Sequence, residues 1–192
     1  MRGKNNINSR LVLVTGGARS GKSSYAEGLM MEKGHKILYI ATAVPTDREM
    51  EYRIARHRVG RPAFWQTLEA YTGIRKKLDE KGDIYHGIIL DCITVMLTNL
   101  MLDFGIKPDC WDPELNETVE RAILREIGDT IKGIRAWCDT GIIVSNEVGM
   151  GLVPSSPFAR VFRDMAGRVN QMIATEADNV IMMISGIPMV IK

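Results

Sequence analysis

The sequence predicts an α/β fold with a mainly parallel central sheet flanked by helices, and three observations predict it. Short apolar runs recur along the chain, amphipathic helical stripes separate them, and a glycine-rich turn joins the first run to the first helix. The runs are residues 11–14, 36–40, 87–90, 141–144 and 179–184, each of a length suited to a buried strand. After the first, residues 24–27 open a helix that turns Leu29 and Met30 inward. Leu115, Val119, Ile123, Ile127, Ile131 and Ile134 recur at helical spacing, as do Phe158, Val161, Phe162, Met165, Val169, Met172 and Ile173. Both sets are core-facing stripes, and the methionines are expected to do no more than pack.

Residues 44–69 fit this alternation less well. Thr46 and Glu49 form a T-x-x-E capping box, a basic helix follows, then Gly60-Arg61-Pro62, then a strand over residues 64–68. The segment reads as an insertion between the second and third core strands, an arm that closes over a ligand or meets a neighbouring subunit. With no internal repeat or long linker, residues 11–192 form one domain and residues 1–10 a tail.

Composition narrows the function classes. Of 192 residues, 45% are hydrophobic and 25% charged, the balance of a globular protein. A net charge of +2 argues against a general affinity for nucleic acid or anionic membrane. Arg48, Arg53, Arg56, Arg58 and Arg61 are nevertheless crowded together, a cluster suited to a small anionic ligand. No stretch approaches the length of apolar chain that spans a bilayer, and no secretory segment follows the polar start. Cys92, Cys110 and Cys138 are too few and too scattered for a disulfide framework. They read as reduced thiols, and the cytoplasm is the expected compartment.

The chemistry begins at Gly16-Gly17-Ala18-Arg19-Ser20-Gly21-Lys22-Ser23, a G-x-x-x-x-G-K-[ST] pattern between a strand and a helix. Glycines let successive N–H groups turn toward phosphate oxygens, and the helix N-terminus adds partial positive charge. Lys22 reaches the β- and γ-phosphates, and the Ser23 hydroxyl ligates Mg²⁺. This is the phosphate loop of a nucleoside-triphosphate site. Asp91 ends an apolar strand, where a carboxylate holds Mg²⁺ through water; it would equally suit a cap for the helix starting at Cys92. Ser145-Asn146-Glu147 end another strand and face the ligand crevice of an open sheet, so Asn146 and Glu147 are candidates for substrate or a metal-bound water; a plain turn is the other reading. His35 and His86 precede strands and are expected to face solvent. His57 lies among Arg53, Arg56, Arg58 and Arg61, whose charge disfavours imidazolium and keeps the ring neutral. From the residues alone it is either a nucleophile at phosphorus or a surface histidine.

In order along the chain stand TGGARSGKS, YIATA, RIARHRVGRP, ILDCIT with a following TNL, SNEVGMGLVP and AGRVNQ. Together these resemble the bifunctional adenosylcobinamide kinase/adenosylcobinamide-phosphate guanylyltransferases of cobalamin biosynthesis, over nearly the whole chain from Leu11. The resemblance implies a RecA-like P-loop domain that phosphorylates the aminopropanol hydroxyl of adenosylcobinamide with ATP or GTP. GMP is then transferred from GTP onto that phosphate through a histidine–GMP phosphoramidate, with pyrophosphate released. By motif the histidine is His57; some relatives have two adjacent histidines where this chain has Arg56-His57. The phosphate loop, Ala41-Thr42-Ala43, and Arg58, Val59, Gly60 and Arg61 resemble the family's nucleotide-contacting segments. Glu69 resembles an acidic contact that accepts from guanine N1–H and N2–H₂; a glutamate at a helix start is its other reading. Asp91 resembles the family's Walker-B-like acid, and a homotrimer is implied. Two further readings compete: guanylyl transfer alone, or a nucleotide-driven switch or binding module.

Overall fold

A computed structural model describes residues 11–45, 48, 51–52, 61–106 and 112–192. Seven strands form one sheet in the order β3-β2-β4-β5-β1-β6-β7. They are β1 (Leu11–Gly16), β2 (Ile37–Ala41), β3 (Gln66–Glu69), β4 (Tyr85–Asp91), β5 (Cys138–Val144), β6 (Asn179–Ile184) and β7 (Ile187–Val190). All neighbours pair in parallel except β6 and β7. The five expected core strands are present: β6 has the expected bounds, β2 is shifted by one residue, and the other three are extended by one to three residues at one or both ends. The strand anticipated over residues 64–68 begins only at Gln66, because Phe64 lies in a turn and is exposed.

Helices α1 (Lys22–Met31), α2 (Ile74–Lys81), α3 (Ile93–Asp103), α4 (Pro113–Trp137) and α5 (Pro157–Glu176) connect the strands. Strand alternation divides the core between the two faces of the sheet. Leu11, Leu13, Leu38, Ile40, Ile88, Leu90 and Ile143 meet α2, α3, α4 and α5 on one face. Val12, Val14, Ile37, Tyr39, Ile89, Ile142 and Val144 meet Ala26 and Met30 of α1, and Trp65, on the other. The stripe of α4 is buried as its spacing predicts, at Val119, Ile123, Ile127, Ile131 and Ile134. Burying each such side chain stabilises by roughly 1.5–3 kcal/mol. The Asp112 cap, whose Oδ1 accepts from Glu114 N and Leu115 N at 3.0 and 3.1 Å, adds about 1 kcal/mol. Packing, not capping, therefore holds this helix. In α5 the stripe buries Met165, Val169 and Ile173, with Phe158, Val161, Phe162 and Met172 packed alongside.

Three features depart from expectation. Strand β7 returns antiparallel through a turn at Ser185 and Gly186, both with positive φ. Helix α2 is short, and its polar composition hides a stripe of only Ile74 and Leu78. His86 lies inside β4 rather than before it, though it is exposed, as is His35. In the insertion, Arg48, Glu51 and Tyr52 are helical and exposed. The capping box of Thr46 and Glu49 lies outside the described residues, as does Cys110.

Candidate active site

Parallel strands bring their carboxyl ends to one edge of the sheet, and every described candidate lies there. Register sets them level: Ala41 pairs with Asp91, Asp91 with Val144, and Val144 with Val14. Strand β5 stands between the phosphate-loop strand β1 and the Asp91 strand β4.

The phosphate loop curls where its sequence allows. Gly16 has φ 143°, and a Cβ there would stand 2.4 Å from Met183 O. Only glycine fits that approach. Gly21, with φ 92°, is the N-cap of α1, and neither a capping side chain nor an acidic first-turn residue occupies the helix start. Its N–H groups are therefore left for an anion. Gly17, Ala18 and Arg19 are exposed, while Ser20 and Lys22 are buried and Ser23 half-buried. Lys22 Nζ donates to Gly17 O at 2.6 Å and reaches Ser20 Oγ at 3.5 Å. Burial lowers its pKa from the ordinary lysine value, and the nearby Cys92 and Asp91 act in the opposite sense. Neighbouring elements brace the loop: Glu147 N donates to Gly16 O, and Gly186 N of the β6–β7 turn donates to Ser20 O, each at 3.0 Å.

Asp91 does not cap α3; Cys92 is the N-cap residue, without a side-chain cap bond. Its Oδ2 instead accepts from Tyr39 Oη at 2.6 Å. Burial first, then the Asp91 charge, pushes the Tyr39 phenol far above its usual range, so it remains a donor. Above the same ring lies Arg61, its Cζ 3.4 Å from the centroid. Glu27 of α1 is half-buried nearby, its pKa raised by burial, with Arg61 opposing and Asp91 reinforcing the shift.

Thr42 is fully buried, and its hydroxyl turns to the backbone after β4. Its Oγ1 donates to Cys92 O at 2.8 Å and accepts from Cys92 N at 2.9 Å. Thr42 N donates to Asp91 O, and Asn99 Nδ2 donates to Thr42 O. The segment after β2 is thus clamped to the segment after β4. Ala41 and Ala43 flank the clamp, and Glu69 ends β3 level with Ala41, exposed. Glu69 lies in a strand well before α2, so the helix-start reading does not hold.

At the end of β5, Asn146 Nδ2 donates to Thr94 Oγ1 at 2.5 Å, and Asn170 Nδ2 donates to Asn146 O. Glu147 Oε1 accepts from Gly149 N at 2.7 Å and shapes the following turn. His57, Arg58, Val59 and Gly60 lie outside the described residues. The structure thus brings together the phosphate loop, Asp91, Arg61, Ala41 to Ala43, Asn146 and Glu147. Sequence reasoning missed Tyr39 and Glu27. Alternation in β2 marks Tyr39 as sharing a face with Ile37 and hence with α1, the one signal available for it. Among the described residues no helix is long and apolar enough to cross a membrane.

The family model described as cobinamide kinase / cobinamide phosphate guanyltransferase matches residues 12–191. The bifunctional adenosylcobalamin biosynthesis protein CobU of Escherichia coli (strain K12) is 44% identical over 184 residues, 95% of this chain and 99% of that one. Its counterpart in Salmonella typhimurium shows the same identity and coverage. The bifunctional protein CobP of Pseudomonas aeruginosa is 39% identical over 180 residues, 94% of this chain and 96% of its own. Likeness over nearly the full length of both partners, on a parallel sheet with its phosphate loop and strand-end acid, shows that the chain belongs to the cobinamide kinase / cobinamide phosphate guanyltransferase family.

Proposed function

We propose that the protein phosphorylates the aminopropanol hydroxyl of adenosylcobinamide with ATP or GTP. It then transfers GMP from GTP onto that phosphate, giving adenosyl-GDP-cobinamide and pyrophosphate. The observation that carries this reading is the convergence of Lys22, Asp91 and Arg61 on one crevice, which lets a single triphosphate site serve both steps.

In the kinase step Lys22 exchanges its bond to Gly17 O for a phosphate oxygen, trading a neutral acceptor for a charged one. The open N–H groups of α1 hold the remaining phosphate charge. Ser23 and Asp91 offer a hydroxyl and a carboxylate, the hard oxygen donors that suit a Mg²⁺ retaining most of its waters. Bound there, the ion would neutralise triphosphate charge. In the transfer step a His57 ring nitrogen attacks the α-phosphorus of GTP; a P–N bond forms and the P–O bond to pyrophosphate breaks. An oxygen of the acceptor phosphate then attacks the same phosphorus, and the imidazole leaves. Arg61 supports this assignment, being four residues after His57, a separation that even extended chain covers in about 14 Å. Arg58, Val59 and Gly60 belong to the same nucleotide-contacting stretch.

Glu69 selects guanine by accepting from its paired N–H donors, which adenine lacks. Ala41, Thr42 and Ala43 line the nucleotide side, and Asn146 and Glu147 meet the acceptor or a metal-bound water. We place the reaction in the cytoplasm and the chain in a homotrimer, the latter checked by sedimentation. The decisive experiment uses GTP labelled in the α-phosphate. Acid-labile, alkali-stable label on the protein, absent in His57→Ala, is expected. A folded, GTP-binding protein that takes no label would remove the covalent route.

A further inference from the structure

Arg61 lies near two carboxylates, Asp91 and Glu27, and pairs with neither. Both exert electrostatic influence in this crevice, and Arg61 acts on Glu27 and on Tyr39 in turn. Yet Nε and Nη1 of Arg61 are buried with no hydrogen-bond partner among the described residues. Arg61 is half-buried as a residue, but buried N–H donors left open are costly, and such groups are uncommon in folded proteins unless something uses them. What separates the charges is Tyr39. Its ring lies under the guanidinium, with Cζ 3.4 Å from the centroid, and its O–H occupies Asp91 Oδ2 at 2.6 Å. A ring face attracts the cation without consuming an N–H, so the donors stay open in the plane of the group. The same side chain holds one oxygen of the competing carboxylate.

We propose that Tyr39 is a positioning residue that keeps Nε and Nη1 of Arg61 open and ready to receive a phosphate group of the nucleotide. Tyr39 is fixed for this by its place in the sheet. It is buried in β2 between β3 and β4, on the face that carries α1, and neither contact requires it to move. The arrangement is preorganisation: the cost of stripping water and counter-charge from Arg61 is met on folding rather than on binding. The inference rests on the reading of Arg61 as a nucleotide contact.

The test measures GTP affinity by calorimetry in magnesium-free buffer for the wild type, Arg61→Ala, Tyr39→Phe and the double variant. Tyr39→Phe preserves the ring, its volume and its stacking, and removes only the hydroxyl. Asp91, released, then takes up the guanidinium. The expected result is a roughly tenfold fall in affinity, the scale of one hydrogen bond to a charged group. In the Arg61→Ala background the same substitution should change nothing, since nothing remains to position. An equal fall in both backgrounds overturns the proposal, as does no fall in either. Full GTP affinity in Arg61→Ala alone is a separate failure: it removes Arg61 from the nucleotide site and takes the underlying reading with it. Tyr39→Leu, which removes ring and hydroxyl together, should lose more affinity than Tyr39→Phe, again only when Arg61 is present; a loss no larger than that of Tyr39→Phe counts against the stacking role.

Discussion

Replacing Thr42 with valine removes a hydroxyl that bonds both backbone groups of Cys92, donating to its carbonyl at 2.8 Å and accepting from its N–H at 2.9 Å. Valine matches threonine in shape, so packing changes little, and the effect isolates the two hydrogen bonds. Thr42 is fully buried, so no water replaces the lost oxygen from its side. An orphaned buried backbone group costs about 1–3 kcal/mol. The partly buried Cys92 N–H is orphaned at about 1 kcal/mol, whereas the carbonyl keeps the bond from Met96 N at 3.1 Å and loses one further hydrogen bond worth about 1 kcal/mol, so the two together cost about 2 kcal/mol. For a chain of this size that corresponds to a fall in melting temperature of about 4–8 °C. Urea unfolding is the assay, with an unchanged slope and a lower midpoint expected. The clamp also sets the backbone at Asp91, so kinase activity should fall more than the loss of folded protein explains. Thr42→Ser keeps the hydroxyl and should retain both properties. A destabilisation under about 0.5 kcal/mol in Thr42→Val would refute the reasoning, because an orphaned N–H and a lost carbonyl bond together cost more than that.

Other substitutions probe the remaining parts. Lys22→Ala should weaken phosphorylation and guanylyl transfer alike, and steady-state assays that find either at full rate would contradict a shared site. Glu69→Gln should erode the preference for GTP over ATP in the transfer step; an unchanged ratio of kcat/KM values would remove Glu69 from base selection. Gly16→Ala should destabilise the fold by several kcal/mol, since its Cβ would meet a backbone carbonyl at 2.4 Å at φ 143°, which thermal unfolding would register. Glu27 carries a pKa raised above the ordinary 4.5, with burial as the main cause. Its folded form binds the proton more tightly, so its contribution to stability is full below pH 4.5 and is lost as pH rises through the folded value. Glu27→Gln should therefore raise the melting temperature at neutral pH, with the gain shrinking on acidification toward 4.5. A gain independent of pH would be evidence against burial as the cause.

How much of this was legible in the sequence depends on the range of the signal. The phosphate loop is local: eight consecutive residues specify a turn, a helix start and a lysine, and the structure has all three. The stripes of α4 and α5 are local in the same sense, because a period of 3.6 is written along one segment. Strand β7 is short and fully exposed, so it carries no apolar contrast to mark it, and only Ser185-Gly186 hinted at a return. Asp91 could be read two ways from sequence because a strand-end carboxylate and a helix cap occupy the same position. The cap is ruled out because Cys92 is the N-cap residue and the Asp91 carboxylate is held by Tyr39, 52 residues earlier.

That distance states the general reason. Motifs name groups that touch a ligand, since ligand chemistry restricts the residue type at a fixed spacing. The groups that hold those groups are chosen by the sheet, which sets β2 beside β4 and brings Ala41 level with Asp91. Thr42 reaches Cys92 across 50 residues and Asn146 reaches Thr94 across 52, each joining the ends of two strands. Separations of 50 and 52 residues lie far beyond the period of a helix or a strand, so no periodicity can reveal these pairs. Each becomes evident only once the strand order is known, because two residues that end adjacent parallel strands must share an edge. The catalytic candidates of this protein are thus written in short runs of sequence, whereas the supports that aim them are written in the topology.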